Sequence, residues 1–162
     1  MTRSIPLSQF LARPEPRRSA APASGAAARA LGALPVDAPT LSGVRYDAPS
    51  GYAVRELRGT KMRTTAGVFD EFAAAFQFPY YFGENKDAFD ECLRDLDDFV
   101  GPATGYVAVI RDSADLLADE PAARDWFTDT IGEAAEYWSK KGIPFRVVLQ
   151  GEPDDNAVPL SP

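Results

Sequence analysis

The sequence predicts an α/β fold: a small three-stranded parallel sheet covered by helices, preceded by a disordered Pro/Ala-rich arm. Three observations predict it. Two short runs, Tyr106–Ile110 (YVAVI) and Phe145–Leu149 (FRVVL), are almost wholly apolar, as strands buried on both faces are. Stretches with helical apolar spacing separate the strand candidates, and helical crossovers of that length join parallel strands. The first fifty residues are instead rich in Pro and Ala, a composition that buries too little apolar surface to offset chain entropy. The expected organisation is a disordered arm over residues 1–42, an α/β domain over 43–151 and a flexible tail over 152–162.

Within the arm, Ile5–Leu11 and Ala26–Leu34 each hold enough apolar residues for a short helix. Tyr52–Leu57 alternates loosely and stops at Arg58-Gly59, which makes it the first strand. Thr65 caps a helix carrying Val68, Phe69, Phe72, Ala73 and Phe76 on one face, and Pro79 closes it. Asn85 is the N-cap of the next helix, which the pattern carries through Val100. At about 100° per residue, Phe89, Cys92, Leu93, Leu96, Phe99 and Val100 gather on one side of it. Asp87, Glu91, Asp95 and Asp98 gather on the other. Gly101-Pro102 and Gly105 break the chain before the YVAVI strand, and Asp115–Leu117 suits a turn of helix. Pro121 fits the first turn of a longer helix, Ala122–Lys140, with Trp126, Phe127, Ile131, Ala134 and Trp138 at core spacing. Lys140-Lys141-Gly142 ends it with cations and a glycine at the negative end of the dipole.

Composition narrows the chemistry. The 162 residues include no histidine and one cysteine, Cys92, which excludes Ser-His-Asp and Cys-His catalysis, histidine or cysteine-cluster metal sites and an internal disulfide. Neither GxxxxGK[ST] nor GxGxxG occurs. No catalytic residue, cofactor or metal is expected, and the chain reads as a non-enzyme. No apolar run is long enough to cross a membrane, and the N-terminus lacks the hydrophobic segment of a secretory signal, so a cytoplasmic protein without membrane contact is expected. The net charge of −7 is unevenly spread: residues 1–50 carry six Arg against three Asp/Glu (+3), residues 51–162 eleven Lys/Arg against twenty-one Asp/Glu (−10).

The acidic stripe is the candidate functional feature. Like charges at i, i+4 oppose helix formation, so a row of them on one face invites a basic partner. Two plainer readings compete: a solvated surface face, and for Asp87 simple helix-start electrostatics. Tyr80, Tyr81 and Phe82 precede the helix, more aromatics than one buried anchor requires, so at least one stays near the surface beside the acids.

The run Pro79–Leu93 (PYYFGENKDAFDECL) resembles the signature of the barstar family, intracellular protein inhibitors of secreted guanyl-specific ribonucleases. The order of elements from about Tyr52 to Gln150 is similar to that family as well. The resemblance implies a bacterial toxin-immunity protein, monomeric when free, that binds a basic ribonuclease and no nucleic acid directly. The aromatic turn and acidic helix would plug the nuclease site, with carboxylates where RNA phosphates would lie. By position it implies that Tyr81 packs on the nuclease rim, that Asp87 is the first inhibitory carboxylate and that Glu91 is the second, most deeply inserted one. Gly83 and Asn85 would lie at the edge of the contact, with Asp90, Asp95 and, on the last helix, Glu136 completing it. The chain departs from the type member in carrying Glu rather than Asp at 91, Asp90 in place of an aromatic, and Tyr137 where that protein has an acid. Two alternatives remain: the same face directed at a different basic toxin, or a hydrolase binding Mg²⁺ or Mn²⁺ through Glu84, Asp87 and Glu91.

Overall fold

Apolar runs exposed on both sides of a strand need cover on both sides, and this requirement shapes the whole chain. The computed structural model describes residues 3–13 and 29–162. Its strands are β1 (Ile5–Pro6), β2 (Leu31–Leu34), β3 (Tyr52–Arg58), β4 (Gly105–Arg111), β5 (Phe145–Gln150) and β6 (Val158–Ser161). Its helices are α1 (Leu7–Phe10), α2 (Ala38–Ser42), α3 (Val44–Asp47), α4 (Thr65–Phe76), α5 (Lys86–Arg94), α6 (Leu96–Phe99) and α7 (Arg124–Ser139). The strands form one sheet in the order β1-β6-β2-β5-β4-β3, and every pairing is parallel.

β4 lies inside the sheet and its side chains divide by the two-residue period of a strand. Tyr106, Ala108 and Ile110 enter one core, with Phe72 and Phe76 of α4, Phe89 and Leu93 of α5 and Phe127, Ile131 and Trp138 of α7. Val107 and Val109 enter a second core on the opposite face, with Val148 of β5 and Leu7, Phe10, Leu11, Leu41 and Val44. The second core is therefore roofed by the N-terminal segment.

This corrects the expected architecture. The sheet has six strands, not three, because the backbone of β5 has a second edge to satisfy and β2 takes it, Leu31–Leu34 pairing in register with Val147–Gln150. The residues read as a disordered arm include β1, α1, β2 and α2, and those read as a flexible tail include β6. The helix expected within Ala26–Leu34 is replaced by β2. The remainder of the arm, residues 1–2 and 14–28, lies outside the described residues. Gly32, inside β2, leaves room for its neighbours. A Cβ at this position would stand 2.5 Å from Leu160 Cδ1 and 3.0 Å from Phe10 Cε2.

Two side chains clasp the N-terminal roof. The Tyr52 hydroxyl donates to the carbonyl of Leu11 at 2.6 Å, and Arg146 Nε donates to that of Phe10 at 3.3 Å. Burial pushes the Arg146 guanidinium below the ordinary arginine range, and among the described residues it makes no ion pair that would offset the cost.

The helices start and stop for local reasons. α4 is capped by Thr64, one residue before the expected cap, whose hydroxyl accepts from the Gly67 N–H at 3.1 Å. It ends at Gln77 in the left-handed conformation, two residues ahead of Pro79. Pro121 opens a 3₁₀ turn that feeds α7. Among the described residues no helix is long and apolar enough to cross a membrane.

Candidate functional site

α5 is placed by its apolar face. Phe89 and Leu93 are fully buried, and Phe89 packs edge-on to Phe72 and beside Trp126, which fixes the helix against α4 and α7. Asn85 caps it: its Oδ1 accepts from the Ala88 N–H at 2.9 Å and its Nδ2 donates to the Gly83 carbonyl at 3.3 Å. A Cβ on Gly83 would lie 2.9 Å from that same amide nitrogen, so glycine leaves room for the cap. Replacing Asn85 by alanine is expected to cost about 1 kcal/mol of stability, read as a lower melting temperature.

The aromatic turn divides as expected. Phe82 is half-buried against Phe69 and Phe78. Tyr80 and Tyr81 are 100% and 70% exposed, stacked edge to face at 5.6 Å. Two tyrosines thus stand in water immediately before the helix that carries the acids.

The carboxylates do not form one continuous row. The expected single helix through Val100 is two, α5 and α6, with Asp95 at the joint (φ −114°, ψ 21°). The reason lies on α7. The indole N–H of Trp138 donates to the Leu93 carbonyl at 2.8 Å, taking the acceptor that an uninterrupted helix would offer to the Asp97 N–H. Asp87 and Glu91 therefore share one face of α5, whereas Asp95, Asp97 and Asp98 form a second acidic group around the joint. All five are exposed.

Charge pairing separates the acids further. Asp90 is half-buried and bound to Arg94 at 3.0 Å on its own helix. Glu136, on α7, is exposed and 4.0 Å from Lys140. Among the described residues Asp87, Glu91 and Asp95 make no ion pair. The nearby cations are held elsewhere. Lys86 Nζ sits 5.1 Å from the centroid of the Trp126 ring. Lys141 Nζ donates to the Tyr137 hydroxyl at 2.9 Å and lies 4.6 Å from that ring's centroid. The Tyr137 hydrogen bond, assisted by Asp97 and Asp95, holds the Lys141 ammonium above its ordinary pKa. Sequence reasoning missed Lys86 and Lys141 because their partners are aromatic rings on another element or one turn away.

Cys92 faces inward, and burial first, then Asp95 and Glu91, push its thiol up to about 11. It is a core residue without nucleophilic character. Among the described residues no three Cys, Asp or Glu side chains are grouped where they could hold a metal ion. The arrangement offers a rigid anionic face bordered by exposed tyrosines, suited to charge-assisted hydrogen bonds with guanidinium and ammonium groups.

A scan against protein families matches the model described as Barstar (barnase inhibitor) over residues 52–150, from the first residue of β3 to the last of β5. No curated protein matches the chain.

Proposed function

Because this chain belongs to the barstar family, we propose that it is a ribonuclease inhibitor that occludes a basic active site with α5 and the preceding aromatic turn. The observation that carries the reading is the pair Asp87 and Glu91. They stand exposed and, among the described residues, unpaired on a helix whose other face is locked into the core, while the neighbouring lysine and arginine are drawn off to Trp126 and Asp90. A ribonuclease cleft holds phosphate with cations, and carboxylates on a helix already locked into the core can occupy those phosphate positions without backbone rearrangement.

In this reading Tyr81 packs on the rim of the cleft, Gly83 and Asn85 approach its edge, and Asp87 and Glu91 pair with its cations. Asp95, at the C-terminal end of α5, and Glu136, on α7, act at the border of the contact. Asp90 contributes least, because engaging it requires breaking its bond to Arg94. Inhibition is steric and electrostatic, with no chemical step and no cofactor. The protein acts as a monomer and meets its nuclease in the cytoplasm.

The test is direct. The full chain is titrated into barnase, with RNA cleavage followed at low and at moderate salt. Stoichiometric inhibition is expected, with association slowing as salt rises, because the screening length falls to about 10 Å at 0.1 M. Unimpeded cleavage at both salts rules out a barnase-like target and leaves the second reading, the same face directed at another basic toxin.

A further inference from the structure

We propose that the cavity between α7, β2 and the loop joining β5 to β6 binds a small zwitterion with an apolar body, the class of free apolar α-amino acids. The cavity has a volume of about 430 Å³, within the range of small-molecule clefts. Its floor is apolar, formed by Leu31 of β2, Leu116 and Leu117 after β4, Phe127 of α7 and Leu149 of β5. None of its lining residues belongs to the acidic face, so this site is independent of the inhibitory reading.

Four features distinguish it from an accidental hollow. Leu31 and the segment Gly151–Ala157, which supply one side of it, lie outside the family match at 52–150. The strands added at the free edge of β5 thus enclose a space that the matched part alone leaves open. It also lies beside the loops that leave the C-terminal ends of β4 and β5, where open parallel sheets commonly receive ligands. Leu117, fully buried in the wall, has φ +54°, a conformation branched side chains avoid. Its N–H is tied to the Met62 carbonyl at 2.7 Å. Strain held in this way gathers at ligand clamps.

The fourth feature selects the ligand. Arg124 lines the cavity from α7, and Glu152 and Asp154 line it from the β5–β6 loop. All three are exposed, and among the described residues none makes an ion pair. Opposite charges that border one apolar pocket without neutralising each other suit a molecule carrying both signs. Its carboxylate would meet the Arg124 guanidinium, its ammonium the carboxylates of Glu152 and Asp154, and its side chain the leucine and phenylalanine floor.

The experiment uses the full chain and calorimetric titration with L-leucine and L-phenylalanine as probes. 4-Methylpentanoate and isoamylamine, each leucine lacking one charged group, serve as comparators. At least one of the two amino acids is expected to bind, with each one-charge comparator weaker by about tenfold or more. Arg124→Met and the pair Glu152→Gln/Asp154→Asn are expected to weaken binding by a similar factor. These residues are exposed, and unchanged melting curves would verify that the variants fold. The proposal is overturned if neither amino acid binds at millimolar concentration, if the comparators bind as well, or if the folded charge variants bind like the parent.

Discussion

Alanine at both Asp87 and Glu91 is expected to weaken binding to a barnase-like ribonuclease by three orders of magnitude or more. In the free protein both carboxylates face water and have no ionic partner among the described residues, so folding does not depend on them. In the complex each would be desolvated against a cation of the nuclease. Removing one member of a buried pair costs about 3–5 kcal/mol, because the other charge is left uncompensated. Stability moves little by comparison. The double variant relieves an i, i+4 repulsion of about 0.2–0.5 kcal/mol and gives up a helix-start contribution from Asp87 of about 0.3–1 kcal/mol. Inhibition titrations beside thermal melts separate the two effects. Parent-like inhibition by a folded double variant would end the phosphate-mimicry account. Asp87→Asn and Glu91→Gln refine it, since they keep shape and remove charge. Asp90→Ala provides the contrast, with a smaller loss of affinity because Arg94 already occupies that carboxylate.

Deleting residues 1–42 is expected to unfold the domain or leave it molten, although the composition of this segment reads as a disordered arm. The deletion removes Leu7, Phe10, Leu11, Leu31, Leu34 and Leu41, all buried. At roughly 1.5–3 kcal/mol for each side chain buried, the loss is on the order of 10 kcal/mol, comparable with the whole stability of a typical domain. It also uncovers Val107, Val109 and Val148 and frees the β5 edge that pairs with β2. Loss of near-ultraviolet circular dichroism and binding of a hydrophobic dye would be the signature. A cooperative melt within a few degrees of the full chain would show that the roof and β2 contribute little.

Much of the matched region was legible in the residues. Loose alternation located β3, continuous apolar runs located β4 and β5, and period-3.6 spacing located α4 and α7, each to within a few residues, because those signals lie in neighbouring residues. The start of α5 was equally readable, since an N-cap is a contact between neighbours: Asn85 was identified as the cap, and its side chain holds the Ala88 N–H. That at least one of the three aromatics stays at the surface followed from there being too many for one anchor; the structure exposes two, Tyr80 and Tyr81.

The end of the acidic helix was not readable. Its break at Asp95 depends on Trp138, forty-five positions from the Leu93 carbonyl it captures. The status of Asp90 turned on Arg94, whose i, i+4 spacing permits the pair without requiring it. The three additional strands were hidden for a related reason. β1, β2 and β6 are two to four residues long and contain Pro or Gly, so no periodicity can announce them.

By itself, then, the sequence determined the elements whose hydrophobic spacing and capping are local, together with the anionic character of α5. Only the tertiary structure decided which backbone edges needed partners, which apolar face needed a roof and which cations were drawn away from the carboxylates. Those choices belong to surfaces that exist only after the first strands have paired, and the short segments that complete them carry too little local pattern to declare it in advance.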